Sequence, residues 1–237
     1  MTLSDFSVLS FDCYGTLIDW EAGLTTALKP LVERSGLSLS PDAVLAAFAD
    51  HESRQQAETP AMPYSALLAV VHARLAASWN VAISEDDNRR FGASVGDWPP
   101  FPDTVDALRT LKRRYRLVIL SNVDRESFQH SNRRLGDVFD AVYTAQDIGS
   151  YKPDARNFTY LRDRLAETGV PVERVLHVAQ SLFHDHAPAN KAGFASAWID
   201  RRHDRDGWGA TAAPPVGVRY DWRFTSLSAL VEAVGAA

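Results

Sequence analysis

From Asp103 onward, short apolar runs alternate with amphipathic stretches. A helical pattern at Asp103–Arg114 precedes the apolar run Leu117–Ser121 (LVILS), and the runs Ala141–Thr144, Val175–Ala179 and Ser196–Asp200 follow. Between them lie helical patterns at Glu126–Leu135 and Ala155–Ala166 and a helix beginning near Asp185. Repeated strand–helix units form parallel sheets, and such strands, covered on both faces, read as near-continuous apolar runs. The expected architecture is α/β, a doubly wound parallel sheet. Arg201–Val218, rich in Asp, Gly, Ala and Pro, reads as a loop, and Ser226–Val234 as a final helix.

One further strand stands at the N-terminus. In Ser7–Leu17 (SVLSFDCYGTL) the apolar Val8, Leu9 and Phe11 break at Asp12 and turn through Gly15, so a buried strand delivers one carboxylate to a loop. Between Leu17 and Trp98 no strand pattern appears. Leu24, Leu28, Leu31 and Val32 recur at helical spacing, Ser40-Pro41-Asp42 starts a second helix, Tyr64–Trp79 is helical throughout, and Ser84 caps a short fourth. This helical block, closed by the rigid WPPFPD segment, reads as an insertion after the first strand. The expected organisation is a core of residues 1–17 and 99–237 with a helical cap of residues 18–98.

Polar residues gather at the ends of the strands. Asp12 follows the first, Ser121 and Asn122 end the second, Lys152 follows the third in SYKPD, and Ser181 to Asp185 follow the fourth in AQSLFHD. Open α/β sheets bind ligands at the carboxyl ends of their strands. Each feature alone has a plainer explanation: turn chemistry for Ser-Asn, a helix start for Lys-Pro, a cap for Ser-x-x-x-Asp. Their convergence is harder to explain without a site.

Asp12-Cys13-Tyr14-Gly15-Thr16, Ser121-Asn122, Lys152-Pro153 and Ser181-x-x-x-Asp185 resemble the four ordered motifs of the haloacid dehalogenase superfamily, and the inserted helices match its capped members. The resemblance spans nearly the whole chain and implies that family's Rossmann-like core. Phosphatases of the superfamily carry a second Asp two residues after the nucleophile, where this chain has Tyr14. The substitution points to carbon-centred chemistry and resembles the (S)-2-haloacid dehalogenase branch. The stretches ESRQQAETP and AQSLFHDHAPAN resemble more closely the members that hydrolyse L-azetidine-2-carboxylate.

The chemistry so implied is attack of Asp12 on the α-carbon of a small 2-substituted acid, followed by hydrolysis of the aspartyl ester by water. Lys152 would hold the Asp12 pKa down, Thr16 and Asn122 would orient Asp12, and Ser121 would grip the substrate carboxylate. Asp185 would orient or deprotonate water, with His184 as its rival. Tyr14, Ser181, Trp20, Arg54 and Phe158 complete the expected substrate contacts, Arg54 as the cation for a departing halide. Trp20, Phe48, Tyr64 and Trp98 could wall an apolar pocket, although aromatic residues at helical spacing are more often core. The chain departs from the dehalogenase pattern at Gln180 and Leu182 and at Phe158, where that branch has Tyr. A ring amine as leaving group would need a proton, from an acid in the cap or from Asp19.

No metal or other cofactor is implied. The alternatives are a magnesium phosphatase using Asp12 and Asp185, and a binding protein that has kept only the fold. A net charge of −5 with scattered Lys and Arg argues against nucleic acid. No apolar run approaches the roughly 20 residues that span a bilayer, and MTLSDFS lacks a signal-peptide pattern, so a cytoplasmic protein is expected. The lone Cys13 can form no internal disulfide and reads as a buried residue. An apolar cap surface is the one feature pointing to a homodimer.

Overall fold

A computed structural model describes residues 1–236. Its centre is one six-stranded sheet, all pairs parallel, built from β1 (Val8–Phe11), β2 (Arg116–Ser121), β3 (Ala141–Thr144), β4 (Val175–Ala179), β5 (Ala195–Ile199) and β6 (Trp222–Phe224). The order is β3-β2-β1-β4-β5-β6. The chain winds outward from β1 in both directions, which makes the carboxyl end of β1 the point where ligands bind in such sheets.

Side chains alternate across the sheet as the two-residue period requires. Leu9, Phe11, Leu117, Ile119, Leu176 and Val178 enter one apolar cluster; Val8, Val118, Leu120 and Val175 enter a second on the other face. The first face is covered by α5 (Thr104–Leu111), α6 (Arg125–Arg134) and the C-terminal helix (Leu227–Ala236), through Leu108, Phe128, Leu227 and Leu230. The second is covered by α8 (Ala155–Ala166), through Phe158, Leu161 and Leu165. A one-turn helix α7 (Ala145–Ile148), capped by Thr144, links β3 to Lys152. The fold is therefore the doubly wound α/β sheet expected.

Four helices lie between β1 and α5: α1 (Trp20–Ser35), α2 (Pro41–Glu58), α3 (Tyr64–Ser78) and α4 (Glu85–Ala93). Asp19, Ser40 and Ser84 accept hydrogen bonds from the backbone N–H groups of Ala22, Ala43 and Asp87, and so start three of them. The central α3 buries Leu67, Leu68, Val71, Leu75 and Ala76. Asp124 ties this layer to the sheet: it caps α6 through the Ser127 N–H at 2.8 Å and accepts the Ser65 N–H of α3 at 2.9 Å. Gly23 of α1 is a point of close approach, since a Cβ there would lie 2.3 Å from Cγ of Trp98.

Three elements differ from the sequence expectation, the one-turn α7 being the first. The final sheet member β6 follows the Arg201–Val218 loop, too short at three residues to show a pattern. The helix expected near Asp185 begins as a π-type turn at Leu182–His186 and continues as α9 (Ala187–Lys191). No described helix is long and apolar enough to cross a membrane.

Candidate active site

Asp12 lies one residue beyond β1, where its N–H is still held by Val178 O of β4 at 3.1 Å. Gly15, at a φ of +92°, turns the chain back so that the Thr16 hydroxyl donates to Asp12 Oδ2 at 2.8 Å. Thr16 Oγ1 in turn accepts the Gln180 N–H at 2.9 Å, which locks the β1 and β4 ends together.

Lys152 completes the arrangement. Its Nζ donates to Asp12 Oδ1 at 2.9 Å, to Asp185 Oδ1 at 2.6 Å and to the Leu120 carbonyl at 2.9 Å, so all three ammonium protons are engaged. The side chain is 1% exposed. Its backbone is clasped from both sides by Asn122, whose Oδ1 accepts the Lys152 N–H at 2.7 Å and whose Nδ2 donates to the Lys152 carbonyl at 3.0 Å. Asn122 therefore positions Lys152 and not Asp12, contrary to the sequence expectation, because its short amide is spent on the peptide opposite.

Burial sets the electrostatics. It raises the Asp12 carboxyl above its ordinary value; Lys152 opposes that rise and the charge of Asp185 adds to it. The expected net lowering of Asp12 by Lys152 is thus not found, because desolvation outweighs the ammonium. Asp185 is different: burial is overcome by Lys152 and by His177, which together hold it well below the usual carboxylate range. Lys152 itself loses by burial but gains more from its two acids, and stays a cation. Burial pushes His184 down to about 4, so at neutral pH it is an uncharged imidazole.

These groups open onto one cavity of about 30 Å³, room for only a small molecule's reacting end. Asp12, Tyr14, Trp20, Ser121, Asn122, Lys152, Ser181, His184 and Asp185 all line it. Ser121 Oγ and Asp185 Oδ2 are buried there without a protein partner among the described residues. Ser181 Oγ accepts the His184 N–H at 2.9 Å and so shapes the turn that carries Asp185. Tyr14 stands edge-on to Trp98 at 5.6 Å, with its hydroxyl 2.9 Å from Ser131 Oγ.

Two expected contacts lie elsewhere. Arg54 sits on the outer face of α2, 63% exposed at its side chain and paired with Asp50 at 2.6 Å. Phe158 is buried beneath the sheet with its ring 5.0 Å from His177, because its place on the inner face of α8 points it into the second apolar cluster. Asp19 is spent as the cap of α1. The cavity is lined also by Glu52, Gln56, Gln180 and Thr211, and by Tyr64, which with Trp20 is one of the expected aromatic walls, whereas Phe48 and Trp98 do not line it. Behind it, His177 Nε2 lies 3.0 Å from Asp185 Oδ1, and only the register of β4 against β1 would have marked that histidine.

The donor set does not suit a divalent cation. The Asp12 and Asp185 oxygens that face each other are bridged by an ammonium, and no group of three or more His, Cys, Asp or Glu among the described residues is arranged to hold a metal.

The sequence profile of haloacid dehalogenase-like hydrolases matches residues 6–193. The chain is 29% identical to an (S)-2-haloacid dehalogenase of Pseudomonas fluorescens over 126 residues, 52% of this chain and 54% of that one. The chain thus spans about half the length of the curated relatives it matches. Among solved structures, the L-2-haloacid dehalogenase of Xanthobacter autotrophicus superposes with a TM-score of 0.79 at 19% identity, covering 98% of this chain and 99% of that one. The same enzyme with chloropropionic acid covalently bound gives 0.75 at 18%, covering 97% and 98%. At these identities the structures share the fold.

Proposed function

The chain belongs to the haloacid dehalogenase-like hydrolases, and we propose that it opens a C–halogen or C–N bond at the α-carbon of a small 2-substituted carboxylic acid, through an ester on Asp12. The observation that carries this reading is the single attacking carboxylate, held by Thr16 and Lys152 at the mouth of a small cavity, with Tyr14 in place of a second acid. (S)-2-Haloacids and L-azetidine-2-carboxylate are the candidate substrates, the first because (S)-2-haloacid dehalogenases are among its relatives, the second on the two sequence stretches quoted above.

Substrate would place its carboxylate on Ser121 Oγ, the buried hydroxyl without a partner. Asp12 attacks the α-carbon in line with the departing atom, and its raised basicity makes it a better nucleophile than an ordinary surface carboxylate. A fixed near-attack geometry replaces a bimolecular encounter. The resulting ester is neutral at Asp12, which leaves Lys152 to stabilise the oxyanion formed when water adds to the ester carbonyl. Asp185 Oδ2 accepts the hydrogen bond of that water, while its other oxygen stays pinned by Lys152 and His177. His184, neutral and tied to Ser181, shapes the water's neighbourhood and is a weak base. Product leaves as the 2-hydroxy acid with Asp12 regenerated.

Rapid-quench mass spectrometry tests the proposal. The Asp185→Asn variant, given (S)-2-chloropropionate or L-azetidine-2-carboxylate, should accumulate substrate mass on the Asp12 peptide. In wild-type single turnovers run in heavy-oxygen water, label should enter Asp12 and not the product. Turnover with label only in the product would overturn the reading, and so would chelator-sensitive hydrolysis of phosphomonoesters.

A further inference from the structure

Glu52, near the middle of α2, is 3% exposed and lines the same cavity as Asp12. Its Oε1 accepts the Tyr64 hydroxyl at 2.7 Å, the one hydrogen bond it makes among the described residues. An acid in such a place is costly unless it is paired or carries a proton. Among the described residues no cation forms an ion pair with it. Lys152 has all three protons committed elsewhere, and Arg54, only two residues along the chain, points outward to Asp50. Burial accordingly lifts the Glu52 carboxyl to about 7.

That placement discriminates between leaving groups. A halide departs as an anion and needs an uncommitted cation; among the described residues that line the cavity the one ammonium, Lys152, already has its three protons on Asp12, Asp185 and the Leu120 carbonyl. A departing nitrogen has the opposite need, since it leaves as an amide ion unless it takes a proton with it. We infer that Glu52 holds the proton that accompanies a leaving nitrogen, and that it selects strained cyclic 2-amino acids over 2-haloacids as substrates of the site.

This rests on the α-carbon displacement proposed above. An Asp12 lone pair forms the O–Cα bond, the Cα–N pair departs with nitrogen, and the proton shared between Glu52 and nitrogen goes with it. A neutral amine results and Glu52 is left as its carboxylate. When water then cleaves the ester, the proton it gives up restores Glu52. Ring strain is required because an unstrained amine is too poor a leaving group for a carboxylate to displace. Tyr64 is a positioning residue that aims Glu52 Oε1.

The test compares wild type with Glu52→Gln and Glu52→Asp on L-azetidine-2-carboxylate and (S)-2-chloropropionate, reading amine formation, chloride release and the Asp12 adduct. Gln keeps the acceptor for Tyr64 but has no acidic proton. In Glu52→Gln the ratio of kcat/KM for the cyclic amino acid to that for the haloacid should fall about 100-fold, the usual scale of a lost general acid. Glu52→Asp should restore part of it. A ratio unchanged within threefold in a Glu52→Gln variant that still unfolds in one cooperative urea transition overturns the role of Glu52. If wild type forms the Asp12 adduct from chloropropionate but not from the cyclic amino acid, the selectivity is wrong and the displacement reading stands. If wild type forms no adduct from either and opens neither, both fail.

Discussion

Ser10 and His177 stand opposite each other in register on β1 and β4, with Ser10 Oγ 2.7 Å from His177 Nδ1, both fully buried. The other ring nitrogen reaches Asp185 Oδ1 at 3.0 Å. With the Ser10 hydroxyl donating to Nδ1, the imidazole carries its proton on Nε2 and donates to Asp185, so a pair at the centre of the sheet fixes the acid beyond the carboxyl end of β4.

Ser10→Ala should therefore slow the second half of the reaction more than the first. With the tautomer no longer set, Asp185 loses a dependable donor, and hydrolysis of the Asp12 ester should slow about tenfold while its formation changes little. Quench-flow mass spectrometry would show the ester accumulating in wild-type-like amounts of folded protein. Equal slowing of both steps would remove His177 from the water-handling role.

Replacing Lys152 should be felt in stability as well as in activity. Lys152→Met leaves two buried carboxylates facing each other, at a loss of about 3–5 kcal/mol for a broken buried pair. The sign with pH follows from the acids. Without the ammonium, burial and the charge of Asp185 raise the Asp12 carboxyl further above the unfolded 3.8, while Asp185 keeps only His177 as support, so stability is retained below about pH 4 and falls as pH rises. Urea titrations at pH 4 and pH 7 would show the variant recovering in acid; a deficit independent of pH would mean that the ammonium does not compensate these acids.

A titration of stability also reports on Glu52. Its folded-state value of about 7 lies above the ordinary 4.5, so the protonated form is favoured by folding. That contribution is complete below pH 4.5 and is lost as pH rises through 7, amounting to about 3 kcal/mol. Tyr64 and Tyr151, the titratable neighbours whose own values respond to Glu52, stay neutral throughout that window. Glu52→Gln, which has no such titration, should therefore gain on wild type by about that amount between pH 4.5 and pH 8 in paired urea melts. A difference that stays flat would show that Glu52 is hydrated.

What the sequence revealed and what it concealed follow from the same geometry. Asp12, Ser121, Lys152 and Asp185 were legible because each follows an apolar run and parallel strands bring their ends together. Glu52 was hidden because α2 turns a polar stripe of Glu52, Gln55 and Gln56 inward, the reverse of the usual amphipathic reading, while Arg54 on the outer face looked like a ligand. His177 interrupts an otherwise apolar strand, and only pairing with Ser10 across a sheet whose register is not in the pattern explains it.

Tyr14 offers the sharpest contrast between the two chemistries of the fold. Its ring packs edge-on against Trp98 at 5.6 Å and near Tyr64 at 6.4 Å, and its hydroxyl meets Ser131. Tyr14→Asp would install the second acid that phosphatases of this family carry, but in a cavity that already holds Glu52 and the Asp12–Asp185 pair bridged by Lys152. The added carboxyl would lose the aromatic packing, at about 3 kcal/mol or more, and would find no cation to pair with. Hydrolysis of p-nitrophenyl phosphate with magnesium should remain at background in this variant. Tyr14→Phe, which loses only the Ser131 bond at about 1 kcal/mol, should fold like wild type and serve as the control. Chelator-sensitive phosphatase activity in Tyr14→Asp would show that one residue, and not the Lys152 bridge, keeps this site from phosphorus.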